Sequence, residues 1–326
     1  MDVLGIDIAK LTFDATLLTT AGAQHYQSFP NTPEGFSQLQ TWLTQHDVRQ
    51  VHACMEATNI YWEALATWLQ TQGHIVSVVN PARIKGYAQA TMQCTKTDKL
   101  NSAVIAAFCA THHPAAWQPL SDEQRRLRAL VRHREDLLQT QLQQQNRLRD
   151  TTDTLVVASI QAVLDTLASQ LAAVERAIKE HLAAHSELRT NLELLTSIVG
   201  IGMITAAKLL AEFGDIEHSE AAKAAAADAG LTPSHFESGT SVRRRPRLSK
   251  LGKAGIRSAL YWPAITAMRY CPACKAYAER LATRGKPKKV IIGAVMRKLV
   301  HIIYCVLKHR PPYDPAKVLG RTATST

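Results

Sequence analysis

The fold is decided near the start of the chain, by the apolar stretch Val3-Leu4-Gly5-Ile6-Asp7-Ile8. A short apolar run of this kind predicts a buried β-strand. Two further strands are predicted at Thr12–Leu18 and His25–Phe29, with a turn at Ala21-Gly22 between them. Three strands with short connections form a meander, so we expect the chain to open with the antiparallel part of a sheet.

Helices and strands alternate after this meander. Thr32-Pro33-Glu34 provides an N-cap residue and a proline at the first helical position, which predicts a helix to about His46. The order β-β-β-α-β-α-β-α favours a mixed α/β sheet with helices on its faces. The remaining predicted elements are strands Val48–Glu56 and Ile75–Val79, a helix from Trp62 to Gly73, and helices around Pro81–Gln89 and Asp98–Thr111.

The next region, Ser121–Leu195, has no glycine and is rich in Gln, Arg and Leu. Its apolar residues step by four and three along an a/d seam, which predicts a helical hairpin or coiled coil with a break near Asp150–Asp153. An intramolecular helical bundle and an intermolecular coiled coil fit this pattern equally well. The seam residues are Ile160, Leu164, Leu167, Leu171, Val174 and Ile178.

The last third is predicted to be mainly helical. Its first element, Leu195–Gly202, reads as an apolar-Gly-apolar-Gly turn between two helices, similar to a helix-hairpin-helix motif that presents backbone N–H groups of Gly200 and Gly202 to a phosphate. A plain turn between helices that needs small residues is the alternative. The stretch Thr232–Gly255 reads as a loop. Helices are predicted at about Ser219–Ala229, Ala254–Met268, Cys274–Thr283 and Lys289–His309.

Composition and charge narrow the function. The 326 residues are 46% apolar and 20% charged, which excludes disordered and collagen-like classes. Six cysteines and no signal-like start favour a reduced cytoplasmic protein with no membrane segment, because Arg297 and Lys298 interrupt the longest apolar run. The net charge is +11, yet residues 241–300 alone carry sixteen Lys/Arg and one acid. This density favours a nucleic acid partner over a merely solvated basic surface.

Three acids lie where chemistry is expected. Asp7 sits in an apolar strand, Glu56 ends the fourth strand, and Asp98 begins a helix. If the first and fourth strands are neighbours, Asp7 and Glu56 converge and the helix can add Asp98. Such oxygen ligands suit Mg²⁺ in phosphodiester chemistry. An acid at a strand end is also often an ordinary cap or salt-bridge partner.

Several blocks together resemble a known family. Gly5–Lys10, Met55–Thr58 and Lys96–Asn101 resemble the acidic blocks of an RuvC-like, ribonuclease-H-type domain. Glu237–Arg243 with Leu248-Ser249-Lys250 resembles the serine-bearing block of a transposase domain. With Val199–Gly202 and Gly230–Pro233, the set is similar to the IS110 family of insertion-sequence transposases. The resemblance implies an α/β RuvC-like domain at 1–118, a helical coiled-coil hairpin at 119–190 and a mainly α transposase domain at 191–326.

The resemblance also implies a mechanism. Asp7, Glu56 and Asp98 match three of the family's four metal-binding acids, and Ser241 matches its nucleophilic serine. The serine would form a covalent phosphoserine link to DNA and release a 3′-hydroxyl, which would then attack the partner strand's phosphoserine. The implied partners are a structured noncoding (bridge) RNA, donor and target DNA, and further copies of the chain, as a dimer or tetramer with composite active sites.

One position departs from the family pattern. The fourth acid would stand three residues after Asp98, where this chain has Asn101. Asparagine can offer a carbonyl oxygen but is neutral and cannot act as a base. Asn101 therefore predicts either a natural variant with weaker metal binding or an engineered substitution that stalls catalysis.

Two functions other than a recombinase stay open. A metal-only nuclease of the RuvC type would need no serine, and a non-catalytic nucleic-acid-binding protein would tolerate Asn101. Cys271 and Cys274 have the spacing of a zinc or redox pair but lack a second pair.

Basic residues are expected to contact the phosphates of nucleic acid. These candidates are Arg243, Arg244, Arg245, Arg247, Lys250, Lys253, Lys286, Lys288 and Lys289.

Overall fold

A computed structural model describes residues 1–57, 60–91, 98–214, 216, 221–238 and 242–315, without the side chains of 98–99, 235–238 and 242–246. The chain divides into two compact units, unit 1 at Met1–Pro119 and unit 2 at Leu120–Thr326. The further boundary expected near residue 190 stays a prediction.

Unit 1 contains a five-stranded mixed sheet in the order β3-β2-β1-β4-β5. The meander β1–β3 is antiparallel, whereas β4 runs parallel to β1 and β5 parallel to β4. The predicted order of elements is confirmed to within a few residues. The elements are β1 Asp2–Ile8, β2 Thr12–Leu18, β3 Gln24–Pro30, α1 Pro33–Gln45, β4 Val51–Glu56, α2 Glu63–Thr71, β5 Ile75–Val79, α3 Pro81–Ala90 and α4 Asp98–His112.

The sheet has an apolar core on each face. Leu4, Ile6 and Ile8 of β1 are buried with residues of α1 and α2. Val3 on the alternate face is buried with residues of α3 and α4. Since side chains alternate along a strand, Gly5 and Asp7 share the face of Val3.

Unit 2 begins with two long helices, α5 Asp122–Asp150 and α6 Thr154–Ala184. They run antiparallel, because His181 contacts the carbonyl of Glu123 whereas Glu175 pairs with Arg134. The predicted break between them is confirmed. Of the expected seam residues, Leu164, Leu171 and Ile178 are buried, and Ile160, Leu167 and Val174 are half-buried. Leu142, Leu155 and Val163, which lie outside the predicted seam, are exposed.

The rest of unit 2 is mainly helical, as expected, with one difference. Thr232–Gly255 was expected to be a loop, and that prediction is wrong, because β6 Pro233–Ser238 and β7 Val242–Leu248 pair as an antiparallel hairpin. Arginines and a proline in β7 mask its strand character, and the pairing is set by the partner strand. The helices are α7 Ser186–Thr196, α8 Met203–Phe213, α9 Ala222–Asp228, α10 Ala254–Tyr270, α11 Pro272–Thr283 and α12 Lys288–His309.

Two helices of unit 2 are long and apolar enough to cross a membrane by length and composition alone. One is α12, which is largely buried among the other helices and is a core helix. The other is α6, which lies along α5. Arg297 and Lys298 interrupt α12 as expected without taking it below this length and composition, and neither helix by itself indicates a membrane protein.

Candidate active site

The candidate active site lies where β1 and β4 end. Ile6 pairs with Met55 in the parallel ladder, and Asp7 and Glu56 follow these residues directly. Both acids therefore lie at the C-terminal ends of adjacent strands, and both are partly buried. Glu56 shares its face of β4 with Cys54, which is buried with residues of α4. The condition on which the convergence of Asp7 and Glu56 depended, that the first and fourth strands are neighbours, is met.

Helix α4 crosses this face at very short range because β1 has a glycine there. A Cβ atom built on Gly5 would lie 2.2 Å from the backbone nitrogen of Ala106 and 2.2 Å from the carbonyl oxygen of Ser102. The hydroxyls of Ser102 and Thr16 are 2.8 Å apart and buried, which fixes the helix to β2 as well. Gly5 thus sets how closely α4 approaches the strand that carries Asp7.

This approach brings Asn101 to the site. Its Nδ2 donates a hydrogen bond of 3.0 Å to Oδ2 of Asp7. Asp98 is the first residue of α4, three positions before Asn101, and residues with this spacing share a helix face. The side chain of Asp98 is outside the described part of the chain. The structure thus joins Asp7, Glu56 and Asn101 at one sheet edge, and places the backbone of Asp98 on the same helix.

The donors at this edge are of the kind that a hard cation prefers. Asp7 and Glu56 offer carboxylate oxygens, and Asn101 offers an amide oxygen. Among the described side chains, no three His, Cys, Asp or Glu residues come together as a metal-binding group. The oxygen donors present fit a site for a hard divalent cation.

Two buried cysteines, Cys54 and Cys109, pack in the core on the face of the sheet that carries Asp7. The thiol of Cys54 donates to Cys109 of α4, and this hydrogen bond together with burial raises the pKa of Cys54. A neutral thiol is a poor metal ligand. The same hydrogen bond lowers the pKa of Cys109 to about 6, so the negative charge of the pair lies on Cys109.

Asp14 is an acid that the sequence pattern did not single out. It pairs with Asp7 across the antiparallel ladder of β1 and β2, so both side chains lie on one face. Its Oδ1 accepts a hydrogen bond of 2.6 Å from the hydroxyl of Tyr26. Asp14 is the one charged residue of β2, and this is a signal that could have identified it.

The residues on either side of Ser241 belong to two paired strands. Ser238 and Val242 are paired in β6 and β7, and residues 239–241 connect them. Ser241 lies outside the described residues, and so do the side chains of Arg243, Arg244 and Arg245. The assignment of Ser241 stays a prediction.

The remaining candidate cations of this block differ in their surroundings. Arg247 and Lys250 are exposed, and Lys250 has a left-handed backbone with φ of 55°. Lys253 forms a 3.0 Å ion pair with Asp228. Its charge is therefore partly compensated within unit 2. Exposed cations also flank the turn at Gly285, namely Lys286, Lys288 and Lys289.

The glycine turn between α7 and α8 has the predicted position. Gly200 has φ of +95°, and a Cβ atom there would lie 2.8 Å from the carbonyl oxygen of Pro263 in α10. Gly202 is exposed at the start of α8, where a Cβ atom would meet nothing. Gly200 is thus required by packing, whereas Gly202 leaves the N-terminus of α8 accessible.

Two family models match the chain. Residues 4–156 match a DEDD-type IS110 transposase model, and residues 192–279 match the model described as transposase of the IS116/IS110/IS902 family. Relatives named pilin gene-inverting protein, from Moraxella lacunata and Moraxella bovis, are each 35% identical over 315 residues, which are 95% of this chain and 97% of each relative. An IS110 insertion element protein of Streptomyces coelicolor is 30% identical over 165 residues, 50% of this chain and 40% of that protein.

These similarities define a DNA-acting transposase of an insertion sequence. The chain belongs to the IS110 family of transposases. Its DEDD-type domain covers the acids at the ends of β1 and β4, which fits a dependence on divalent metal.

Proposed function

We propose that this transposase is an RNA-guided DNA recombinase that exchanges strands through a phosphoserine intermediate at Ser241. The main support is the arrangement at the C-terminal ends of β1 and β4. Asp7 and Glu56 lie at the ends of these adjacent strands, and Asn101 donates a hydrogen bond of 3.0 Å to Asp7. That arrangement is suited to binding metal beside a phosphodiester.

Mg²⁺ is the proposed cofactor, held by Asp7, Glu56 and Asp98 with Asn101 beside them. When bound, Mg²⁺ would stabilise negative charge on the reacting phosphate. Asn101 supplies one charge fewer than an acid, and its amide also occupies one oxygen of Asp7. We therefore expect weaker metal binding than with an aspartate at this position.

Ser241 would carry the covalent step. Its hydroxyl oxygen bonds to phosphorus, the bond from phosphorus to the 3′-oxygen breaks, and the hydroxyl proton is transferred to that leaving oxygen. The reverse attack by a partner strand's 3′-hydroxyl restores the diester and frees the serine. No bond energy is lost to hydrolysis, which suits strand exchange.

The basic surface would position nucleic acid. Exposed Arg247, Lys250, Lys286, Lys288 and Lys289 support this role, and the neighbouring Arg243, Arg244 and Arg245 add charge in the sequence. Contacts of this kind bind backbone rather than bases, so sequence choice would pass to a guide RNA that pairs with donor and target DNA. Gly200 and Gly202 would bring the turn before α8 to a phosphate.

The active form would be a dimer or tetramer in which the acids of one subunit meet the serine of another. Exposed apolar residues of α5 and α6 support association with a second copy of the chain. They are Leu138, Leu142, Leu155 and Val163.

A denaturing-gel assay for covalent protein–DNA adducts tests the proposal. The chain is mixed with Mg²⁺, the noncoding RNA that flanks its reading frame, and matched donor and target DNA. Ser241→Ala, Asn101→Asp and Asp7→Asn are compared with Ser249→Ala, a control that removes a nearby hydroxyl from the same block.

We expect an RNA-dependent adduct that disappears with Ser241→Ala and Asp7→Asn, persists with Ser249→Ala and grows with Asn101→Asp. Cleavage without an adduct would favour a metal-only nuclease. Absence of both cleavage and adduct in Asn101→Asp would favour a non-catalytic binding protein.

A second candidate concerns the product of the reaction. The full-length similarity to two proteins named pilin gene-inverting favours exchange between two sites on one DNA molecule. A plasmid with two inverted sites should then yield the inverted segment, detected by restriction mapping. Exclusive transfer into a second plasmid would contradict inversion.

A further inference from the structure

Helix α10 exposes large aromatic side chains on the face opposite its buried residues. Trp262 is 71% exposed and Tyr261 is 41% exposed, and their rings meet edge to face with centroids 5.5 Å apart. The other side of the helix is buried through Leu260, Pro263 and Ala264. Burying these rings would be favourable, so their exposure indicates a surface that a partner covers.

The charged residues around Tyr261 and Trp262 indicate a negatively charged partner. Arg269 is exposed two turns after Trp262, about 10.5 Å along the helix axis, and the exposed ring of Tyr270 follows it. Ser258 lies one turn before Trp262 and accepts a hydrogen bond of 2.8 Å from the ammonium of Lys208 in α8. Lys208 also pairs with Glu135. The sequence from 241 to 300, which contains this helix, has sixteen Lys/Arg and one acid.

A second copy of the same face is a poor partner for this surface. A two-fold contact between identical patches would bring the positive charge of Arg269 towards that of its own copy. Polyanions are attracted instead. Aromatic rings beside cations are the combination that binds unpaired bases, since every base has a face for stacking and every nucleotide has a phosphate.

We propose that Trp262 and Tyr261 form a stacking platform for an unpaired base of RNA, with Arg269 binding an adjacent phosphate. RNA loops offer unstacked bases without strand separation, whereas duplex DNA keeps its bases covered. This inference rests on the proposed function, because it places a contact for the RNA partner on α10.

Binding of the full-length chain to an oligouridine of about 16 nucleotides tests the platform. Trp262→Ala should weaken binding about tenfold or more, whereas Trp262→Phe should keep most of it, because stacking requires a ring. Arg269→Gln should reduce the slope of log affinity against log salt by about 1, which corresponds to the loss of one phosphate contact. Tyr26→Ala, an exposed aromatic of unit 1, and Leu251→Ala, an exposed apolar residue of the basic segment, are the controls.

Crosslinking gives a second readout. An oligomer with 5-iodouracil, irradiated with the chain and digested, should link to the peptide that contains Trp262. Unchanged RNA affinity in Trp262→Ala would overturn the proposal, as would crosslinking to oligothymidine but not to oligouridine. A change of oligomeric state at unchanged RNA affinity would reassign the face to a protein partner. The adduct assay is independent of these results, so the recombinase and the platform can fail separately.

Discussion

Units 1 and 2 differ in charge as well as in architecture. Residues 1–119 carry six Lys/Arg and eight Asp/Glu, a net charge of −2, whereas residues 120–326 carry 32 and 19, a net charge of +13. The unit with the acidic site has few cations that could compete with a metal ion. The unit with the serine block has the charge that attracts nucleic acid. We therefore expect that nucleic acid affinity and metal chemistry can be altered separately by substitutions in the two units.

The largest effect is expected from Gly5→Ala in unit 1. The added Cβ would lie 2.2 Å from backbone atoms of Ser102 and Ala106, so α4 must move away from β1. We expect a loss of about 3 kcal/mol in the free energy of unfolding, together with lost metal binding, since Asn101 would leave Asp7. Urea unfolding and calorimetric titration with Mg²⁺ measure both.

Gly86→Ala in α3 is the matched control, because a Cβ atom there meets nothing and the helix favours alanine by about 0.5–1 kcal/mol. Equal stabilities for the two variants would contradict the close approach of α4.

An intermediate effect is expected when charge is removed from unit 2. Replacing Lys286, Lys288 and Lys289 by glutamine should lower the slope of log affinity for duplex DNA against log salt by about 2 to 3. The same loss of charge in unit 1, at the exposed residues Lys10, Arg49 and Lys85, should leave the slope nearly unchanged. Equal changes for the two triple variants would remove the distinction between the units.

The smallest effect is expected from pH. Burial lowers the pKa of His74 in unit 1, and burial together with Arg297, Lys298 and Lys223 lowers the pKa of His301 in unit 2. A lowered pKa means that the unfolded chain binds protons more readily than the folded chain, so stability falls as pH falls through about 6.5. Both units should therefore be less stable at acid pH.

Salt should distinguish these two histidines. It screens repulsion by the three cations around His301, whereas it does not affect burial at His74. Unfolding of His74→Gln and His301→Gln, followed with pH at low and high salt, measures each contribution. A salt-independent contribution from His301 would show that its neighbours do not matter.

Much of unit 1 could be predicted from sequence, because its signals are local. Apolar strands, the cap at Thr32 and the proline at the start of α1 fixed the element order, and the parallel pairing of β1 and β4 brought Asp7 and Glu56 together as expected. The sequence pattern could not predict how closely α4 approaches β1. The closeness of α4 depends on the absence of a side chain at Gly5, which becomes informative only when the helix above it is known.

Unit 2 was harder because its decisive contacts are not local. The β6–β7 hairpin was missed since its charged residues lack a strand pattern and the pairing itself defines the strands. Lys253 resembled a free phosphate contact, although Asp228 already pairs with it. The exposed ring of Trp262 could not be recognised from spacing, since a tryptophan in a helix is more often buried.

The segment after α12 has a consequence for synthesis of the chain. The hydroxyl of Ser197, at the turn before α8, accepts a hydrogen bond of 2.8 Å from the backbone nitrogen of Tyr313, and the hydroxyl of Tyr313 lies 3.1 Å from the sulfur of Cys271. Tyr313 therefore leaves the ribosome 116 residues after Ser197, its partner in the turn. Unit 1 ends at Pro119 and can complete its sheet early, since domains generally fold as they emerge. A growing chain therefore presents a finished acidic unit well before its basic unit is closed.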